Sequence, residues 1–94
     1  MTKSKLVDAV CEQYPDLPPA QVKAMVTAFF ETIKAALVGG DKVEIRGFGS
    51  FRIRHRAPRL SRNPKTGAAV KVPAKAIPFF KAGRDLKQAV DQGP

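Results

Sequence analysis

The chain has 94 residues, 44% of them hydrophobic, with 17 Lys or Arg against 8 Asp or Glu and a net charge of +9. The hydrophobic share is too high for a disordered basic tail, and the length allows one domain at most. One cysteine, Cys11, and one histidine, His55, exclude an intrachain disulfide and any Cys/His zinc spacing, and no apolar run reaches the length of a membrane span.

The opening Met1-Thr2-Lys3-Ser4-Lys5 leads into an amphipathic stretch and not into a signal-peptide core. With a single free thiol, the expected compartment is a reducing cytosol. Thr2 or Ser4 can cap a first helix running to about Tyr14, with Leu6, Val10 and Tyr14 on one face and Cys11 beside them. Pro15 cannot continue that helix. Asp16-Leu17-Pro18-Pro19 reads as the entry to a second one, with acid near the positive end of the dipole and proline in the first turn. Val22, Met25, Val26, Phe29, Phe30, Ile33 and Leu37 then recur at three- and four-residue steps, a stripe wide enough for helix-to-helix contact, and Gly39-Gly40 ends it.

The period next shortens to two. Val43 and Ile45 alternate with Lys42, Glu44 and Arg46, and Gly47-Phe48-Gly49 permits a sharp turn with Phe48 available to the core. Phe51 and Ile53 alternate with Arg52, Arg54 and Arg56, so one face of this strand is apolar and the other a row of guanidiniums. Asn63-Pro64-Lys65-Thr66-Gly67 makes a hairpin tip, because Asn accepts local bonds, Pro presets φ and Gly takes φ > 0. Its flanks hold few large apolar residues, so the hairpin should stand off the body as a ribbon, with Pro58 and Pro73 suited to an edge or a bend. Ile77-Pro78-Phe79-Phe80 is expected back in the core, followed by a short helix from Arg84 to about Val90 and a frayed tail.

Charge is divided unevenly along this order. Met1 to Gly40 is neutral, Lys3, Lys5, Lys23 and Lys34 balancing Asp8, Glu12, Asp16 and Glu31. Between Ile45 and Arg84 there are eleven Lys or Arg and no Asp or Glu. Such a surface must face a polyanion or repel itself, and nucleic acid is the obvious one. A two-stranded ribbon is among the elements that can enter a DNA groove. The core of so small and so charged a chain is limited, which points to a partner subunit that completes it. A small RNA-binding or ribosomal protein would carry similar charge. However, Tyr14 is the only aromatic besides phenylalanine and lies outside the basic half, so a base-stacking platform is unsupported. An enzyme is disfavoured, because the basic half has no carboxylate pair, triad, phosphate loop or metal set.

Arg46-Gly47-Phe48-Gly49-Ser50-Phe51, Arg56-Ala57-Pro58-Arg59 and Arg62-Asn63-Pro64-Lys65-Thr66-Gly67 resemble the HU / integration host factor family of bacterial DNA-bending proteins. The likeness runs from Met1-Thr2-Lys3-Ser4 through Phe80-Lys81-Ala82-Gly83. The opening tetrapeptide and Val43-Glu44-Ile45-Arg46 resemble the beta-subunit branch of integration host factor. Leu60-Ser61 departs from the glycine often found before the tip, Pro15 and Pro19 are atypical between the first helices, and Pro78-Phe79-Phe80 is more apolar than usual. The resemblance implies an α+β fold: two N-terminal helices, a three-stranded antiparallel sheet with an extended β-ribbon arm, and a short C-terminal helix, in an intertwined dimer. In a single domain over 1–94, residues 1–40 would be the helical dimerisation part, 41–82 the sheet with its arm at about 56–74, and 83–91 the last helix.

It further implies double-stranded DNA as the partner, minor-groove binding with sharp bending, and roles in recombination and in transcriptional and translational control. The second partner would be an integration host factor alpha-like subunit, or a second copy of the chain in an HU-like, largely non-specific nucleoid protein. Cytoplasmic residence at the bacterial nucleoid follows, with no cofactor, metal, membrane or small-molecule substrate. Pro64 becomes the wedge that enters a base step, against its plain reading as a turn proline. Arg59, Arg62, Asn63 and Lys65 would follow the minor groove, whose narrow A·T-rich form attracts arginine. Lys3, Ser50, Arg54, Arg56, Lys71, Lys75, Lys81, Arg84 and Lys87 are candidates for flanking phosphates, as is Arg52, any one of which could also be plain solvated charge. Glu44 and Arg46 would carry sequence preference, the carboxylate orienting the guanidinium. His55 is expected as a packed or rim residue of the core face in preference to a phosphate ligand, and Cys11 as a small buried hydrophobe and not a reactive thiol.

Overall fold

The computed structural model describes residues 1–93, which run through α1 (Lys3–Gln13), α2 (Pro19–Val38), β1 (Val43–Ile45), β2 (Gly49–Arg56), β3 (Arg59–Arg62), β4 (Ala69–Val72), β5 (Lys75–Ala82) and α3 (Arg84–Asp91). By their internal contacts the residues divide into a helical unit, Met1–Ala35, and a unit from Ala36 onward that contains every strand. The α+β class and the element order are those expected from the sequence.

In the helical unit, Thr2 is the cap: its Oγ1 accepts from Lys5 N–H at 3.3 Å and its carbonyl from Leu6 N–H at 2.9 Å. The helix closes at Tyr14, whose N–H reaches the Val10 and Cys11 carbonyls just before Pro15. Pro19 opens α2, where a missing N–H costs nothing. Val7, Val22 and Ile33 are buried, but Val22, at 1% exposure, is the only large side chain sealed almost completely among the described residues. Past Val38, Gly40 N–H bonds to Leu37 O at 3.0 Å and Asp41 N–H to Ala36 O at 2.9 Å, the paired bonds of a Schellman ending.

The second unit holds a three-stranded antiparallel sheet, order β1-β2-β5, and the two-stranded ribbon β3-β4. Gly49 pairs with Ala82, Phe51 with Phe80 and Arg56 with Lys75; beyond a gap, Arg59 pairs with Val72 and Arg62 with Ala69. Each step forward on one strand is one step back on the other, with no slip from the first pair to the last. The sheet and the ribbon are therefore one long hairpin, whose ladder is interrupted at Ala57-Pro58 and Pro73-Ala74. The unbroken register sets Pro58 opposite Pro73. Neither ring nitrogen can donate, so the break falls where both strands lose a donor at the same level. Pro78 sits in β5, an edge strand, where a proline is tolerated.

Register also assigns the faces, because directly paired residues of an antiparallel ladder share one side. Val43, Phe51, Ile53, Pro78 and Phe80 lie together, with Phe51 and Phe80 rings 4.8 Å apart and Phe48 and Phe80 rings 5.5 Å apart. His55, opposite Ala76, is exposed at the far end of this face and so is a rim residue. The other face carries Glu44, Ser50, Arg52, Arg54 and Arg56 with Lys75, Ile77, Phe79 and Lys81. Ile77-Pro78-Phe79-Phe80 does not return to the core as a whole: Pro78 and Phe80, the latter 37% exposed, share the face of Phe51, while Ile77 and Phe79 lie half-buried among the arginines.

The turn between β1 and β2 uses two glycines for different reasons. Gly47, at φ +84°, takes a conformation other residues adopt only with strain, and Phe48 N–H closes the turn on Ile45 O at 3.0 Å. Gly49 is there for space: a Cβ would stand 2.6 Å from the Lys81 carbonyl oxygen and 2.6 Å from the Phe80 ring. The ring could turn away, but the carbonyl belongs to the ladder. Gly49→Ala should therefore cost about 1–3 kcal/mol, the usual range for overpacking, read as a lower urea midpoint with unchanged m. Gly67→Ala, with nothing within 4 Å of its Cβ, should lose only what its positive φ demands.

Candidate nucleic-acid interface

The ribbon has no layer packed on it. Leu60 is 71% exposed, Arg59, Arg62, Val70 and Lys71 are exposed, and only Ser61 and Val72 are partly covered. Its order comes from the ladder and from a self-bonded tip. Asn63 N–H donates to Ala68 O at 2.9 Å, Gly67 N–H to Asn63 O at 2.7 Å, and Lys65 N–H to the Asn63 side-chain oxygen at 2.9 Å. Thr66 Oγ1 accepts from Ala68 N–H at 3.3 Å. Asn63 thus spends its carbonyl oxygens on shaping the turn, an Asx arrangement that leaves Pro64 and the Lys65 side chain at the exposed apex. Nearer the body, Arg59 and Lys71 line one shallow concavity with Pro58, Leu60, Val72 and Pro73.

A second, larger concavity of about 880 Å³ lies against the sheet. Arg46, Ser50, Arg52, Lys81, Arg84 and Lys87 line it, with Glu44 the one acid. These residues come from the β1–β2 turn, β2, β5 and α3, and three contacts join the elements. Gly83 N–H bonds to the Phe48 carbonyl at 2.8 Å, Lys81 pairs with Ser50, and Gly83 O accepts Lys87 N–H at 3.0 Å in the first turn of α3. Widely spaced positions in the sequence thus form one basic hollow at a helix N-terminus, an arrangement suited to phosphate oxygens. Lys3 opens α1 in the helical unit.

The expected Glu44–Arg46 pairing does not form. β1 ends at Ile45, so Arg46 lies in the turn and leaves the strand face, while the Glu44 carboxylate bonds Lys42 Nζ at 3.0 Å. Both residues still line the hollow. Between hollow and ribbon, Arg54 lies over the Phe79 ring, its guanidinium carbon 3.9 Å from the centroid, and Arg56 pairs with Lys75 at the last ladder position of the sheet. Among the described residues, no three His, Cys, Asp or Glu gather as metal ligands do, and no helix is long and apolar enough to cross a membrane.

The helical unit offers the opposite chemistry. A groove of about 510 Å³ is walled by apolar side chains that include Leu6, Val10, Tyr14, Met25, Phe29 and Phe30. Met25 is 55% exposed and Phe29 52% exposed. Fully burying one such side chain contributes about 1.5–3 kcal/mol, so this face stabilises the protein only when something covers it. Cys11 is half-buried nearby on α1, less enclosed than the sequence suggests.

Residues 1–91 match the family model described as bacterial DNA-binding protein. The chain is 50% identical to integration host factor subunit beta of Haemophilus influenzae over 97% of both chains, and 48% identical to the same subunit of Dechloromonas aromatica over 98% of both. Among solved structures it is similar to Anabaena HU in a cocrystal with DNA, with a TM-score of 0.84, 44% identity and full coverage of both chains. HU from Thermotoga maritima superposes with a TM-score of 0.67 at 31% identity, covering 96% of this chain and 98% of that one.

The hollow makes a prediction that needs no particular ligand. Glu44→Gln removes its one acid, so the variant should elute from heparin at higher salt, whereas Arg84→Ala should elute earlier. Because the Lys42–Glu44 pair is exposed, Glu44→Gln should change stability by no more than about 0.5 kcal/mol in urea denaturation.

Proposed function

The chain belongs to the bacterial DNA-binding protein family of HU and integration host factor, and from that premise we propose that it sharply bends duplex DNA as the beta-type subunit of an integration host factor-like heterodimer. The family makes it an architectural DNA-binding protein. The observation that carries the bending role is the ribbon tip, where Asn63 braces the turn from within and presents Pro64 outward on an otherwise uncovered arm.

In this reading the arm lies along the minor groove, Arg59, Arg62 and Lys65 facing its negative potential. Pro64 enters a base step. It has no N–H to leave unsatisfied and no rotamers to freeze, so a rigid apolar ring meets the exposed base faces. Unstacking costs a few kcal/mol, offset by the contacts that a curved duplex then makes with the body; the wedge mechanism is that of the family. Those contacts fall to the hollow around Arg46, Ser50, Lys81, Arg84 and Lys87, to Arg54, Arg56 and Lys75, to Lys71 on the ribbon, and to Lys3. Each cation that neutralises a phosphate releases counterion, so affinity should fall steeply with salt.

The helical unit supplies dimerisation. Its apolar groove and the exposed Phe29 and Met25 need a partner surface, and the resemblance to beta subunits over 97% of the chain favours an alpha-type subunit there. A homodimeric, HU-like role is the second reading, favoured by the full-length likeness to Anabaena HU. Either dimer places the protein on the bacterial nucleoid, in recombination and gene control, with no bond chemistry of its own.

Förster transfer between the ends of a duplex of about 35 base pairs separates the two readings, that length allowing for wrapping. The chain is titrated alone, then with an alpha-type subunit, on an A·T-rich family-type site and on a scrambled duplex. Strong end-to-end approach on the first duplex, only with the partner, supports the heterodimer; equal bending of both by the chain alone makes it HU-like. Under either, Pro64→Ala should lose most of the bend while affinity changes by less than about tenfold, since the phosphate contacts remain. Equal bends for both proteins would remove the wedge role from Pro64.

A further inference from the structure

Phe79 breaks the alternation of its strand. Pairing sets it opposite Arg52 and on the same side as Ser50, Arg54, Arg56 and Lys81, the most densely charged surface of the sheet. Across the ladder the ring meets only Arg52 and, diagonally, Ser50 and Arg54; its one apolar neighbour on that face is half-buried Ile77, two residues back along its own strand. Its cover comes instead from a cation: the Arg54 guanidinium carbon stands 3.9 Å from the ring centroid. Among the described residues Arg54 has no carboxylate partner, the one ion pair being Lys42–Glu44.

We propose that Phe79 is a positioning residue for DNA binding, its ring holding the Arg54 guanidinium ready to receive a duplex phosphate at the root of the arm. This rests on the DNA-binding reading above. An arginine gives its donors in one plane and binds phosphate best as a fork. A free arginine must surrender rotamer freedom and part of its hydration on binding. One laid against a ring has already lost much of both, while the ring's quadrupole retains its charge. Arg54 lies two residues before the last ladder pair of the sheet and five before the first residue of β3. It therefore stands where a backbone leaving the arm first meets the body.

The test is a double-mutant cycle in DNA affinity, measured by fluorescence anisotropy on the full chain in its DNA-binding dimer. The proteins are wild type, Phe79→Leu, Phe79→Tyr, Arg54→Ala and the double variant Arg54→Ala/Phe79→Leu, each with a thermal melt as the fold control. Leucine keeps apolar cover over the strand but has no π face; tyrosine keeps the face. Phe79→Leu should weaken binding about 2- to 5-fold, the range of an exposed cation–π contact. Phe79→Tyr should restore wild-type affinity to within about twofold, the π face being retained. In the Arg54→Ala background Phe79→Leu should have no further effect, and Arg54→Ala should reduce the slope of log affinity against log salt by about 0.9. Equal losses from Phe79→Leu with and without Arg54, or failure of tyrosine to rescue, would overturn the inference and leave the DNA reading standing. Absence of duplex binding by the wild-type protein would overturn both.

Discussion

One unslipped antiparallel register, from Gly49 opposite Ala82 to Arg62 opposite Ala69, governs everything in the strand-bearing unit. A one-residue shift would exchange the faces, putting Phe51 and Ile53 into solvent and the arginine row against the apolar side. The same register carries the tip to the far end of the ribbon and stacks the two ladder-breaking prolines, Pro58 and Pro73, across from each other. Two features pin it. At one end the close approach at Gly49 admits no Cβ. At the other, Asn63 bonds both Ala68 and Gly67 and so fixes which residues face each other at the turn.

Charge and core stand in tension along this hairpin. The body end is held by ring contacts among Phe48, Phe51 and Phe80, while the ribbon has ladder bonds and little else. An isolated two-stranded hairpin is at best marginally stable in water, and the cations along this one repel each other. The ribbon is therefore the part whose free energy changes most when a polyanion lies along it. The helical unit is under-buried for a different reason: its exposed side chains are apolar and need a protein surface. Two unsatisfied surfaces of opposite chemistry, one in each unit, match two kinds of partner.

Much of this was legible in the chain itself, because local signals agree with each other: Thr2 as cap, Pro19 in a first turn, Gly39-Gly40 as a stop, and Asn-Pro-Lys-Thr-Gly as a tip. The arginine row on β2 follows from strict alternation. Two details of the strand-bearing unit did not follow, and both depend on pairing. Ile77-Pro78-Phe79-Phe80 is a continuous apolar run with no alternation to read, so only cross-strand register tells that Phe80 faces Phe51 while Phe79 faces Arg52. Counting outward from the tip would have revealed it. Glu44 and Arg46 share a parity in the sequence, but the turn begins one residue earlier than that pattern assumes. Lys42, at the same spacing on the other side, takes the carboxylate.

The basic groups that remain differ in how far each is organised before any ligand arrives. The tip is shaped by its own hydrogen bonds, so Pro64 is presented without help from the body. Arg54 is restrained by a ring, and the cations of the hollow are gathered by the joining of the turn, β5 and α3 around Gly83. Arg59, Arg62 and Lys71 along the ribbon are held by nothing but their strands. In the proposed DNA-bending role, ordering would thus be greatest where a wedge or a curved backbone has to be met at a fixed place, and least along the stretch that would follow a groove whose width varies with sequence. A uniformly rigid arm would pay for every mismatch with the groove, and a uniformly loose one could not hold a kink. Under the proposed function, the alternation of fixed and yielding segments along a single hairpin is what would let a chain with so small a core impose a shape on a much stiffer polymer.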